Sequence, residues 1–202
     1  MTGTEEADLI PFPTMGDGPD SPAEGTAHPL GPAVAALDAA VDRSWESLRG
    51  HPVADRIFYS ASQLGDFSLL WHLLGATRGL AGGEGVRGAV RLSAALATES
   101  ALVNGAVKSL FRRERPAEEN DRPYHLRQPL TSSFPSGHAS AALLAATLRA
   151  ERAKVKPLWY SQAGVVAAAR VHVRIHHASD VVVGAALGWM LGRIARRVLP
   201  LR

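Results

Sequence analysis

Gly184, Gly188 and Gly192 recur every four residues inside an apolar stretch, so on a helix they share one face. Glycine inside a water-soluble helix costs about 1 kcal/mol relative to alanine. A threefold repeat makes sense where the bare face lets a second backbone come close, as membrane helices favour. This part of the chain therefore calls for a tightly packed helix pair. No strand-like alternation is sustained elsewhere, and the expected class is all-α.

The spacing of apolar residues predicts about six helices. The first starts near Pro32 and Ala33, with Leu37, Val41, Trp45 and Leu48 forming an amphipathic stripe suited to a bundle or a membrane surface. Five more fall at about 53–64, 66–82, 86–112, 137–153 and 157–198, the last dividing at the polar stretch from Arg174 to Asp180. Residues 1–32 hold six prolines, several glycines and many acids. Such a segment buries too little apolar surface to offset its ordering entropy and is expected to be a disordered tail. Residues 33–202 then form one helical domain, and a chain of 202 residues is long enough for a single core.

Whether the bundle crosses a bilayer is less direct. No segment carries the unbroken run of about 20 apolar residues of a simple span. The longest stretches free of Asp, Glu, Lys, Arg and His are 157–169 and 181–192. Hydropathy alone would also suit a soluble bundle. The glycine face and the charge distribution favour a transmembrane bundle.

Charge is divided along the chain. Eight of the 19 acidic residues precede the first basic residue, Arg43, so the remainder sets 22 basic residues against 11 acidic ones. A basic body points to anionic partners such as phosphates or anionic lipids. Nucleic acid is not expected as a partner, because no basic stretch is interleaved with aromatics. The absence of cysteine excludes disulfides, iron–sulfur clusters and thiolate catalysis. The N-terminus lacks a basic and an apolar region, so no cleavable signal peptide is expected.

Three clusters carry chemistry. Lys108, Arg115 and Pro116 close the helix that begins near Val86. Pro135, Ser136, Gly137 and His138 open an Ala-rich helix whose N-terminal N–H groups make an anion site, with Ser136 as cap and His138 in the first turn. In the third cluster, Arg170 precedes His176 and Asp180, which lie four residues apart and so meet on a helix. A carboxylate on one imidazole nitrogen fixes the tautomer and leaves the other as nucleophile or base. Two histidines, three cations and a helix N-terminus suit phosphoryl transfer, where catalysis is mainly positioning and charge stabilisation.

In order, internal spacing and separation, these ten positions resemble the three signature motifs of the type 2 phosphatidic acid phosphatase superfamily, K-x6-R-P, P-S-G-H and R-x5-H-x3-D. One departure is Ala169, where the family's third motif usually has serine. The resemblance implies a metal-independent lipid phosphatase without a cofactor. His176 would attack phosphorus to form a phosphohistidine, Asp180 would orient it, and His138 would protonate the leaving oxygen and later activate water. Lys108, Arg115, Arg170, Ser136 and the Gly137 amide would hold the phosphate. The Ala- and Arg-rich style is similar to actinobacterial members acting on polyprenyl-phosphoryl-pentose phosphates in cell-wall synthesis.

Other readings compete with this one. A vanadate-dependent haloperoxidase has a similar site, and a non-catalytic membrane scaffold could retain the pocket. A zinc site from His172, His176 and Asp180 would strand His138 and the cations. His172 and His177 are read as site-lining or structural, Glu99 and Asn104 as buried polar contacts in preference to part of a substrate passage, and Arg112 and Arg113 as solvated surface charge in preference to lipid-headgroup contacts. Tyr124 and His125 lie in a polar loop beside the site. Eleven basic residues, from Arg78 to Arg202, gather at the end opposite the motifs, which themselves keep five beyond the three motif cations. By the positive-inside rule the protein is expected to be a multi-pass cell-membrane protein whose site faces away from the cytoplasm.

Overall fold

The computed structural model describes residues 29–117, Tyr124, Leu126, Pro129 and 131–201. Most of the expected N-terminal tail and His125 lie outside the described residues. Among the described residues there are seven α-helices and no strand. They are α1 (Pro32–Trp45), α2 (Pro52–Gly65), α3 (Leu69–Gly79), α4 (Glu84–Ser100), α5 (Gly137–Arg149), α6 (Lys156–His172) and α7 (Ala178–Val198). α4 runs on as a π-helical stretch, Ala101–Val107, directly before Lys108.

Prolines in the first turns of α1, α2 and α6 fix where those helices start, since an N-terminal proline loses no helical hydrogen bond. The expected sixth segment divides at 173–177, and α7 starts at Ala178, ahead of Asp180. The expected helix at 66–82 starts later, at Leu69. Asp66–Ser68 form a separate tight turn in which Phe67 (φ 52°) and Ser68 (φ 57°) are left-handed.

α5 is the central element, packed against α4, α6 and α7. Its alanines make this possible: Ala139, Ala141, Ala142, Ala145 and Ala146 are all buried. Around them Trp71, Leu92, Leu96, Leu144 and Val166 complete the core. Gly184 and Gly188 sit where a Cβ would overlap the carbonyl oxygens of Ser136 and Ser140, and a Cβ on Gly192 would stand 2.7 Å from Thr147 Cβ. The glycine face is thus the contact between α7 and α5, and it places the start of α7 beside the start of α5.

In the first helix Leu37 and Leu48 are exposed, Val41 and Trp45 are half-buried, and the residue that α1 buries is Asp38. Exposed apolar side chains continue around the bundle, including Ile57, Leu73, Val90, Val165, Val182 and Met190. By length and composition, α7 is the one helix among those described that could cross a membrane, with mean hydropathy 1.3.

Candidate active site

The three motif clusters converge at one end of the bundle. Two backbone connections fix the convergence. The Ser136 amide donates to the Asp180 carbonyl at 3.0 Å, tying the start of α5 to the start of α7. The Ser133 amide donates to the Arg113 carbonyl at 2.9 Å, tying the chain after Lys108 to the same place.

His176 lies in the turn between α6 and α7. Its amide and that of Ile175 both donate to the Arg170 carbonyl, at 3.1 and 3.2 Å, so the turn folds back on the arginine that precedes it. Arg174, with φ 50°, supplies the left-handed residue that reverses the chain. The His176 imidazole is 2% exposed. Its Nδ1 stands 3.6 Å from Asp180 Oδ2, longer than a formed hydrogen bond, as catalytic contacts often are before substrate binds. Its Nε2 stands 3.4 Å from Arg115 Nη1. Burial, then the positive charges of Arg170 and Arg115, push its pKa well below the ordinary histidine value, against the pull of Asp180. The imidazole is therefore neutral and keeps a lone pair.

Asp180 is fully buried and held from two sides. The His177 amide donates to Oδ2 at 2.9 Å in a capping box at the start of α7, and Arg113 Nη1 donates to Oδ1. His177 is thus a helix cap, and burial lowers its pKa.

The cations differ in how they are held. Arg115 is strapped by backbone carbonyls, donating to Pro129 at 3.1 Å, Thr131 at 3.0 Å and Ile175 at 2.9 Å. That clamp joins the loop before Ser136 to the turn carrying His176. Arg170 is buried and donates to the Ser62 hydroxyl of α2. Lys108 is buried, and desolvation together with the neighbouring charges of Arg115 and Arg170 pushes its pKa down to about 8. Ser136 caps α5, its Oγ accepting from the Ala139 amide at 3.4 Å. His138 follows in the first turn, within Coulombic reach of Arg170 and Lys108, and its Nε2 meets Asp66 Oδ1 at 2.9 Å. A groove of about 720 Å³, lined in part by Asn104, Lys108, Phe111, Arg112, Arg115 and Thr131, opens beside these cations.

Some expectations need correction. Arg113 is not solvated surface charge: it is 5% exposed. It bridges Asp180 to Asp38 of α1, with Nη2 donating to Asp38 Oδ2 at 2.6 Å. Asp38 also accepts from the Ser179 amide at 2.8 Å and the Ser179 hydroxyl at 2.7 Å. Arg112 is exposed, at the groove. Asn104 is also exposed; it borders the groove on the π-helical stretch, and a Cβ on Gly137 would overlap its amide. Glu99 is buried in α4, as expected of a bundle contact.

His172 proves structural. Asp55 Oδ1 lies 2.8 Å from its Nε2, Trp45 Nε1 donates to its Nδ1 at 3.1 Å, and Phe58 stacks 4.6 Å away. Both nitrogens are engaged by these partners, and among the described residues no group of three or more His, Cys, Asp or Glu is placed to hold a metal ion, the set of His172, His176 and Asp180 included. Tyr124 packs against Tyr59, 5.2 Å between ring centres.

Asp38, Asp55, Asp66 and Arg113 were missed at the level of sequence. Only Arg113 had an available signal, its place inside the first cluster.

Comparison with known proteins places this geometry. The chain is 38% identical over 95 residues to decaprenylphosphoryl-5-phosphoribose phosphatase of Mycobacterium tuberculosis, in both the CDC 1551 / Oshkosh and H37Rv strains. The match spans 46% of this chain and 51% of the relative, about half the length of each. Crystallised LpxE of Aquifex aeolicus superposes with TM-score 0.65 and 28% identity, covering 80% of this chain and 95% of that one. The transmembrane PAP2 type phosphatidylglycerolphosphate phosphatase of Bacillus subtilis superposes with TM-score 0.62 over 82% of this chain and 86% of its own; at 23% identity it supports the fold alone. Residues 88–202, which contain all three clusters, match the PAP2 superfamily, and the chain belongs to that family.

Proposed function

We propose that the protein is a membrane lipid phosphatase working through a phosphohistidine on His176. The observation that carries this is a buried His176, its pKa lowered by burial, facing a carboxylate on one nitrogen and the Arg115 guanidinium on the other. A phosphate seated between Lys108, Arg115, Arg170 and the N-terminus of α5 would present phosphorus to His176 Nε2. As the N–P bond forms, the ester P–O bond breaks and His138 gives its proton to the departing oxygen. In the second step a water loses its proton to His138 and attacks phosphorus; the P–N bond breaks and inorganic phosphate leaves. Asp180 stabilises the positive charge that His176 acquires, and Arg113 keeps Asp180 in place. The fixed cations meet the charge on the phosphoryl oxygens without reorganising. Every step uses side chains of this chain.

The substrate proposed is a polyprenyl phosphate or polyprenyl-phosphosugar phosphate of cell-envelope synthesis, in line with the Mycobacterium tuberculosis relative. Large apolar side chains left exposed on each of α2, α3, α4, α6 and α7 support a membrane setting. The groove beside Lys108 and Arg115 would take the headgroup at the bilayer edge.

The test is phosphate release from a panel of lipid phosphates by protein purified in detergent with EDTA, wild type beside His176→Ala. Acid-labile phosphate on the wild-type protein, with turnover lost in the variant, is expected. Activity surviving His176→Ala would overturn the mechanism. Halide oxidation after adding vanadate would instead favour a haloperoxidase.

A further inference from the structure

We propose that Asp66 is the positioning residue for the acid–base histidine, so that the site runs on two histidine–aspartate pairs. The inference rests on the acid–base role proposed for His138.

Asp66 Oδ1 lies 2.9 Å from His138 Nε2, although 72 residues separate the two. The contact is built by an unusual turn. Directly after Asp66, both Phe67 and Ser68 adopt left-handed backbone conformations, which non-glycine residues rarely do. The strain is not offset by burying the aromatic ring, because Phe67 is 80% exposed. What the turn achieves is to stop α2 at Gly65 and aim the Asp66 carboxylate at α5. Gly65 completes the fit: a Cβ there would stand 2.7 Å from His138 Cδ2. Strained turns persist where the surroundings hold them, often at functional sites.

The chemistry needs this partner. Burial, then the charge of Arg170 and that of Lys108, push the His138 pKa down to about 4, against the pull of Asp66. Yet His138 must carry a proton to protonate the leaving oxygen. A carboxylate accepting from Nε2–H stabilises the imidazolium and leaves Nδ1–H as the proton donor. When the P–O bond breaks, the Nδ1 proton passes to the departing oxygen and His138 becomes neutral, with Nε2–H still held by Asp66. In the second step Nδ1 takes a proton from water as it attacks the phosphohistidine, and the imidazolium is restored. Asp66 touches neither phosphorus nor leaving group.

The prediction concerns leaving groups. A poor one needs the acid; a good one does not. A pair of probes with one alkyl tail separates them: a 4-alkylphenyl phosphate, and the same molecule with a ring nitro group that makes the phenol more acidic. Full-length protein in detergent is compared as wild type, Asp66→Asn, Asp66→Glu and His138→Ala. Expected is a fall of about tenfold or more in kcat/KM for Asp66→Asn on the unnitrated probe, with a much smaller change on the nitrated one. His138→Ala should show the same pattern more strongly. Asp66→Glu, which keeps a carboxylate, should stay near the wild-type ratio.

Equal losses of Asp66→Asn on both probes, or no loss on either, would overturn the proposal while leaving His138 in its role. A His138→Ala protein without leaving-group selectivity would overturn the acid role itself, and a wild type inactive on both probes would sink the phosphatase assignment.

Discussion

At the scale of single residues, the site is a set of buried charges whose protonation follows from their neighbours. Lys108 carries the clearest consequence. With its pKa pushed down to about 8, it is charged below that pH, as its proposed hold on phosphate requires, and it loses that charge as pH rises through it. Because kcat/KM reports the free enzyme, it should fall about tenfold per pH unit above that point. Lys108→Arg should carry the plateau to higher pH. His176 works in the opposite direction: its pKa lies below the ordinary value, so the proposed nucleophile stays neutral as pH falls through 6.5 and the acid limb lies lower still. A pH–rate profile checks both limbs. Arg113 makes a second prediction. Arg113→Ala leaves Asp38 and Asp180 buried without their shared cation. Breaking a buried pair in this way costs about 3–5 kcal/mol. Thermal unfolding should show that loss, together with a fall in turnover. The residues proposed to hold phosphate were legible in the sequence because their spacing is fixed within short motifs. Asp38 and Asp66 were not, since a lone acid 75 or 72 residues from its partner leaves no periodic trace.

At the scale of elements, the helices were legible because apolar spacing follows the turn of the backbone. Even the glycine face of α7 could be read as a close contact. Its partner could not, because the alanine-rich α5 offers no contrasting stripe to match it. The structure supplies the partner through Ser136, Ser140 and Thr147. The order of contacts along this seam matters to function, since its upper end holds Ser136 and Asp180 together. A Gly188→Ala substitution would drive a methyl group into the Ser140 carbonyl, and a packed contact overfilled in this way costs about 1–3 kcal/mol. Expected is a lower unfolding temperature and, because the shift spreads to the start of α5, a fall in kcat. Gly164→Ala on α6, where a Cβ meets nothing within 4 Å, should leave kcat unchanged and hold or raise the unfolding temperature. The anchor of α1 was not legible for a related reason: hydrophobic spacing picks out one face, whereas this helix buries an aspartate that accepts from the Ser179 amide at the start of α7.

At the scale of the whole molecule, charge and chemistry lie at opposite ends of the bundle. The ends of α3, α5 and α7 and the starts of α4 and α6 carry Arg78, Arg87, Arg152, Lys154 and Arg197, and Glu84 links to Arg152 at 2.8 Å across them. At the other end Arg49 and Arg174 add positive charge, but Asp42 and Glu46 pair with both. Pairing lowers the net positive charge of the motif end and sharpens the asymmetry. In a bilayer, such an asymmetry sets orientation, with the more basic end retained in the cytoplasm. The chain contains no cysteine, so single reporters can be placed without background. Ala117 lies exposed beside the motif cluster, and Ala81 lies exposed in the turn between α3 and α4. In intact cells a membrane-impermeant thiol reagent should label Ala117→Cys, whereas Ala81→Cys should react only after the membrane is opened. The reverse pattern would put the site on the cytoplasmic face and require a substrate made and consumed there. Equal labelling of both sites in intact cells would mean that the bundle does not span the membrane with one fixed orientation.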